Sequence, residues 1–280
     1  KLDNFRIKEI SEILVSKHEI ESGMKSIDKT LIKSMEHAAD RIKSYHKKQF
    51  PKNLIYRDKK GIILGGIWNP IESVGLYVPG GKAAYPSTVL MNAIPAIVAG
   101  VERIAVTVPV NNGRINPLVL GCLKILNINE IYKIGGAQAI GALTYGTETI
   151  KKVDKIFGPG NAYVAAAKKQ VFGDVGIDMI AGPSEILVLA DENNNPEHIA
   201  IDLLSQAEHD PLAQSILVTD NIEFSKKVEL YVNKYLAIIE RKKIARQSWN
   251  KHGAIIIVNS LTDACKFINL LAPEHLELSI

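Results

Sequence analysis

Between residues 27 and 45 apolar side chains recur at steps of three and four, in Ile27, Leu31, Met35, Ala38, Ile42 and Tyr45. That period lays a single apolar stripe along a helix, so the N-terminal stretch is predicted to be helical. From about residue 74 the pattern changes, and short β-branched runs alternate with helical ones. VGLYVPG reads as a strand, STVLMNAIPAIVAG as a helix with Ser87 as N-cap and Gly100 as its stop, and RIAVTVPV as the next strand. Pro95 falls in the middle of that helix, where proline is unfavourable. The alternation runs on through NPLVLGCLKIL, EIYKIGG, AQAIGALTYG, KIFGPG and NAYVAAAKKQVF. It resumes with EILVLAD, NPEHIAIDLLSQAEHD, QSILVTD, a Lys/Glu-rich helix near 222–240, AIIIVNS and LTDACKFINLL.

Strand–helix alternation of this kind predicts an α/β fold, with parallel sheets flanked by helices. The units are too many for one sheet of ordinary size. Two Rossmann-like domains preceded by a helical segment fit better, with IAGPSE (180–185) as the crossing point between them.

Composition supports a globular chain with 46% apolar and 23% charged residues, and no apolar run is long enough for a spanning helix. The opening KLDNFRIKEI has no secretory pattern. Cys122 and Cys265 make neither a disulfide framework nor a metal-ligand spacing and are expected to be small buried side chains. A cytoplasmic setting follows. The net charge of +4 is mild. Its basic stretch, 41–60, lacks the interleaved aromatics of a nucleic-acid face and is expected to be solvated or subunit-facing. The chain lacks an initiating Met and stops at HLELSI, a strand-like run with no turn after it, so it is expected to be a fragment whose C-terminal part is missing.

Ligands of such folds gather at the carboxyl ends of strands, where four glycine-rich loops are expected: YVPGGK (77–82), IGGAQAIGAL (134–143), FGPGNAY (157–163) and AGPSE (181–185). Glycine lets backbone approach a ligand, and a helix that follows offers free N–H groups to a phosphate. Singly each is a plain turn; together they suggest a ligand-lined cleft.

SQAEHD (205–210) closes an amphipathic helix, with Gln206 and His209 three apart on one face. Imidazole is a good zinc ligand and a glutamine carbonyl a rarer one, yet two donors are not a site, and capping of a helix end explains them as well. In APEHLEL (272–278), Glu274 and His275 stand where a helix gives way to a strand, a carboxylate and an imidazole suited to acid–base work with side chains expected to diverge, although on its own a Glu-His beside a proline is mostly coincidence. His18, His37, His46, His198 and His252 read as surface residues, the last in a turn, and Trp68 and Trp249 as packing anchors.

Taken together, VGLYVPGG, STVLMNAIPA, GGAQAIGAL, GTE, VDKIFGPGN, AGPSE, LLSQAEHD and PEHLE stand in the order and approximate spacing of the histidinol dehydrogenase family. The sequence resembles that family over nearly everything from residue 60 onward, most specifically in KVDKIFGPGNAYV; before that it matches only in helical character. The resemblance implies a zinc-dependent, NAD-linked enzyme that oxidises histidinol through histidinal to histidine. It assigns Tyr77, Gln138 and Asn161 to NAD, Ser184, Gln206, His209 and His275 to the substrate, Gln206 and His209 to one zinc per subunit, and Glu274 and His275 to acid–base chemistry. It further implies an Asp and a His as zinc ligands beyond Ile280, the His from a partner subunit, together with a substrate-contacting Glu. A homodimer is therefore expected, with no nucleic-acid or membrane partner, and the present piece is expected to bind zinc poorly and to be inactive. The implied domains are 1–73 (helical segment and start of the first α/β domain), 74–183 (an inserted, NAD-contacting α/β domain) and 184–280 (the return to the first). The alternatives are a relative acting on another amino alcohol and a non-catalytic metal- or ligand-binding α/β protein. The main reading requires the helix of Gln206 and the loop of Glu274–His275 to meet in one pocket beside the glycine loops.

Overall fold

The computed structural model describes residues 10–80, 85–110, 112–180 and 182–280, without the side chains of residues 10 and 11. Gly81 and Lys82 of the first glycine loop and Ala181 of the last lie outside the described residues. The chain divides into two compact units, Lys1–Ala181 and Gly182–Ile280.

The first unit opens with a short 3-10 turn, then α1 (Lys17–Lys25) and α2 (Lys29–Lys48), and a hairpin of β1 (Leu54–Arg57) and β2 (Ile63–Gly66). A β/α succession follows: β3 (Ser73–Tyr77), α3 (Pro86–Ala99), β4 (Arg103–Thr107), α4 (Pro117–Ile125), β5 (Ile131–Tyr132), α5 (Gly136–Tyr145), β6 (Lys155–Phe157), α6 (Ala162–Val171) and β7 (Gly176–Ile177). Local chemistry sets the helix starts. Ser16 and Glu19 form a reciprocal capping box at α1, Asp28 caps α2, and at α4 the Asn116 side chain takes the Leu118 N–H while Pro117 fills the first helical position. Each such cap stabilises its helix by about 1 kcal/mol.

Among the described residues of this unit five parallel strands form one sheet in the order β5-β4-β3-β6-β7. Successive units step away from β3 on one side as far as β5, and the chain then crosses to β6 on the other. That reversal makes β3 and β6 a topological switch point. Burial is nearly continuous along β3 because both sheet faces are covered. Val74, Leu76 and Val106 pack with α1 to α4, whereas Tyr77, Ala105 and Ile156 pack with α5 and α6.

The second unit repeats the plan with β8 (Glu185–Ala190), α7 (Pro196–Ala207), β9 (Gln214–Thr219), α8 (Ile222–Ile238), α9 (Lys242–His252), β10 (Ala254–Ile257), α10 (Leu261–Leu271) and β11 (His275–Ser279). The four strands are parallel, in the order β10-β9-β8-β11. Val188, Ala190 and Leu217 pack against α7, α8 and α9, and Leu187, Leu189 and Val218 against α10. Asn195–Pro196 repeats at α7 the Asn–Pro start of α4. The α/β class with parallel, helix-flanked sheets is thus as the sequence predicts. Among the described residues no helix is long and apolar enough to cross a membrane.

Several local expectations need correction. The third helix begins at Pro86, so Ser87 lies inside its first turn and is not the N-cap; Pro95 leaves the helix unbroken, and Gly100 ends it in the left-handed region at φ 85°. On α2 the buried face is Met35 and Ala39, flanked by Ile32, Ala38 and Ile42, while Leu31 and Tyr45 face outward. His46 is half-buried rather than exposed, as is His252, which ends α9 instead of lying in a turn. Trp68 is 63% exposed and anchors nothing, whereas Trp249 packs on the core of the second unit. Cys122 is buried, its thiol pushed up to about 11 by burial, but Cys265 is exposed.

Candidate active site

The residues singled out in the sequence fall on two sheet edges, one in each unit. In the first unit they gather at the carboxyl edge. Tyr77 is the last residue of β3 and almost fully buried, and its hydroxyl accepts the Gly136 N–H at 3.1 Å, tying the strand end to the start of α5. Gly135 precedes that helix because a Cβ there would come within 2.5 Å of Pro109. The N-cap Gly135 has no side chain to close α5 and Tyr77 takes only the Gly136 N–H, which leaves the next first-turn N–H groups directed out of the helix beside exposed Gln138. At α6 the N-cap is Asn161, whose Oδ1 accepts from Tyr163 N at 3.0 Å and Val164 N at 3.2 Å.

Between β6 and Asn161 stands the tightest point of this edge. Gly158 has φ 118°, and a Cβ there would lie 2.1 Å from the Tyr77 carbonyl oxygen, so only glycine fits. Its N–H donates to Asp178 Oδ2 at 2.8 Å and its carbonyl accepts from Lys168 Nζ at 3.0 Å. Lys168 also pairs with Asp178 and is 3% exposed. The sequence reading missed this pair because KKQ looks like a solvated helix end. A signal existed: Val164, Lys168 and Val171 share the buried spacing of α6.

In the second unit the residues stand at the opposite, amino edge of the sheet. Ser184 immediately precedes β8, its carbonyl accepting the Gln214 N–H at 3.0 Å where β9 begins. AGPSE therefore leads into a strand and does not follow its carboxyl end, which corrects the expectation of four equivalent loops. Glu274 and His275 lie at the start of β11, next to β8 in the sheet. Their side chains converge rather than diverge: Glu274 Oε2 accepts from Glu185 N at 3.4 Å, His275 Nδ1 is 3.0 Å from the Glu185 carbonyl oxygen, and the two side chains are 3.8 Å apart. A carbonyl only accepts, so Nδ1 carries the hydrogen, and Nε2 is left with a lone pair for taking up a proton.

Gln206 and His209 are reached through α7. The helix ends at Ala207, so His209 lies in the turn beyond it, its N–H bonded to the Gln206 carbonyl at 3.1 Å and its own carbonyl accepting from Arg241 at 3.2 Å. Asp210 closes the turn by accepting the Leu212 N–H. The half-buried Gln206 carboxamide has its Nε2 buried without a hydrogen-bond partner among the described residues. Such a group costs about 1–3 kcal/mol unless another role compensates. The carboxamide oxygen of Gln206 and the imidazole of His209 are an acceptable oxygen–nitrogen donor pair for zinc by their chemistry. Among the described residues no group of three or more His, Cys, Asp or Glu could hold a metal, so a complete shell needs donors in addition to these two.

Both sheets have the order and parallel strands of the doubly wound α/β class. A family model described as histidinol dehydrogenase matches residues 1–280, and the chain belongs to that family. It is 55% identical to histidinol dehydrogenase of Agrobacterium fabrum over 280 residues, covering all of this chain and 65% of that protein. It is 59% identical to histidinol dehydrogenase 1 of a Nostoc species, over 88% of this chain and 57% of that one. A crystal structure of histidinol dehydrogenase from Elizabethkingia anophelis superposes with a TM-score of 0.92 at 43% identity, over 99% of this chain and 64% of that chain. The chain thus spans roughly three fifths of the length of these relatives.

Proposed function

We propose that this chain carries the dinucleotide-binding edge and the acid–base pair of a histidinol dehydrogenase, acting on L-histidinol within the full-length protein. The observation that carries the reading is the His275–Glu185 contact, which engages Nδ1 and leaves Nε2 as the base, with the Glu274 carboxylate 3.8 Å from Nδ1. Tyr77, Gln138 and Asn161 line the carboxyl edge of the first sheet, where the switch point and the open start of α5 suit a dinucleotide pyrophosphate. Gln206 and His209 would hold zinc together with an Asp and a His from beyond Ile280, and these two, with Ser184 and His275, would also face the substrate. Residues 74–183 would carry the dinucleotide-binding strands and loops.

In this reading NAD supplies the hydride acceptor for each oxidation, and zinc a template for the substrate's amino and imidazole nitrogens. His275 Nε2 takes the hydroxyl proton as the alcohol becomes an aldehyde. His275 releases that proton to solvent, Glu274 takes a proton from the water that adds to the aldehyde and returns it to the new alkoxide, and His275 takes the hydrate's hydroxyl proton as the second hydride leaves and the acid forms. One imidazole base serves both transfers. The exposed apolar hairpin, with Leu54, Ile55, Ile63 and Leu64 on its surface, supports a subunit-facing role and hence a homodimer. A cytoplasmic enzyme is the setting this reading assumes.

The test is steady-state kinetics on the full-length protein. His275→Asn should lower both oxidations by about 10²–10⁴-fold, and Glu274→Gln should fall by a similar factor in the aldehyde step while largely sparing the alcohol step. Wild-type rates in both variants would sink the assignment.

A further inference from the structure

The buried cation of the first unit is unused by the chemistry above, and its contacts are specific. Lys168 Nζ reaches the Gly158 carbonyl at 3.0 Å and the Asp178 carboxylate, while Asp178 Oδ2 holds the Gly158 N–H at 2.8 Å. Asp178 is itself fixed, its N–H bonded to the Ile156 carbonyl at 3.1 Å and its Oδ1 accepting the Met179 N–H at 2.7 Å. One ion pair thus grips both polar groups of a glycine whose left-handed conformation admits no side chain.

We propose that Lys168 and Asp178 are positioning residues for the dinucleotide, setting the turn 158–161 and the start of α6 in their binding geometry. A buried pair is weak evidence for a stabilising role, since an apolar pair of similar volume often does as well or better. An apolar pair could not, however, orient the peptide groups on either side of Gly158. Those peptides aim Pro159–Gly160 and the cap Asn161, which places the first turn of α6 beside the switch point. The pair acts through this backbone and touches no reacting atom.

The inference rests on reading this edge as the dinucleotide site, so the experiment separates the two claims. In the full-length protein, Lys168→Met combined with Asp178→Leu keeps volume and removes the grip; Asp178→Asn keeps an acceptor for the Gly158 N–H. NAD titration of the double variant should show a dissociation constant raised by about tenfold or more, and KM for NAD should rise in parallel while kcat at saturation stays within about threefold. Amide exchange at Gly158, Gly160 and Asn161 should quicken. Thermal unfolding should come at lower temperature because the buried Gly158 N–H and carbonyl lose their partners, so binding is titrated well below that transition. Asp178→Asn should fall between the two, a partial rescue. A folded double variant with wild-type affinity and exchange would overturn the proposal. Should that variant not fold, wild-type affinity and exchange in Asp178→Asn would do the same. Wild-type protein unable to bind NAD would overturn the underlying reading and the proposal with it, whereas normal binding by wild type and variants alike overturns the positioning claim alone.

Discussion

At the carboxyl edge of the first sheet the groups that matter are mostly backbone. Glycines stand there because a Cβ would strike Pro109 or the Tyr77 carbonyl, helices start there, and the polar groups of Gly158 are tied to buried side chains. The amino edge of the second sheet presents side chains, on a strand entered through Ala272 in the left-handed region at φ 48°. Glu274 and His275 are more than half exposed and lean on the two peptide groups flanking Glu185. A diphosphate presents many equivalent oxygens and is held well by fixed N–H groups, which demands rigid backbone. Proton transfer instead needs one nitrogen or oxygen with access to its reactant. The two edges therefore differ in what a substitution damages, and that difference can be measured.

The largest contrast is expected from one methyl group. Gly158→Ala places a Cβ 2.1 Å from the Tyr77 oxygen at φ 118°. Backbone strain and overpacking, each about 1–3 kcal/mol, should together lower stability by about 3 kcal/mol or more in urea unfolding. Gly182→Ala, beside the site of the second unit, meets nothing within 4 Å and should shift stability by less than about 0.5 kcal/mol. Equal losses would mean that the second edge is as tightly built as the first.

This contrast was only partly legible in the sequence. Helices with a clear stripe or an Asn–Pro start, such as α4 and α7, and the unbroken apolar strands β8 and β9 could be read directly, because burial on one or both faces imposes their pattern. The β1–β2 hairpin could not, since LIYR and ILGG are exposed along their whole length and show no alternation. Nor could α9, whose KKIARQSWNKH buries only Ala245 and Ser248. Candidate residues were legible as types. Their edge was not: the rule that ligands sit at carboxyl ends gives no warning that Ser184 and Glu274 precede their strands and that His275 opens its own. The grip on Gly158 was hidden because Lys168 and Asp178 are ten residues apart and meet only through the turn between α6 and β7.

A smaller effect of opposite sign is expected at Gln206. Its buried, unpartnered amide is unfavourable in the fold itself, so Gln206→Leu, with chelator present, should leave stability unchanged or raise it by up to about 1 kcal/mol. Urea unfolding reads this directly. A loss near 2 kcal/mol would show that the carboxamide is a structural support, and the metal-donor reading would lose its physical ground.

The smallest effects should come from the acid–base pair. His275 and Glu274 expose 58% and 53% of their side chains, and each meets Glu185 through a single contact, at 3.0 and 3.4 Å. The strand that carries them is held instead by its ladder to β8, from His275 opposite Ile186 to Ser279 opposite Ala190. His275→Asn and Glu274→Gln each keep a polar group near the peptide groups flanking Glu185 and leave that ladder whole, so both should unfold within about 0.5 kcal/mol of wild type. A loss above about 1.5 kcal/mol in either would mean that these side chains fasten β11 to β8. Reduced turnover in the same variants would then report a displaced strand rather than a missing base, and the distinction between a backbone-built edge and a side-chain-built edge would fail at the residues where it matters most.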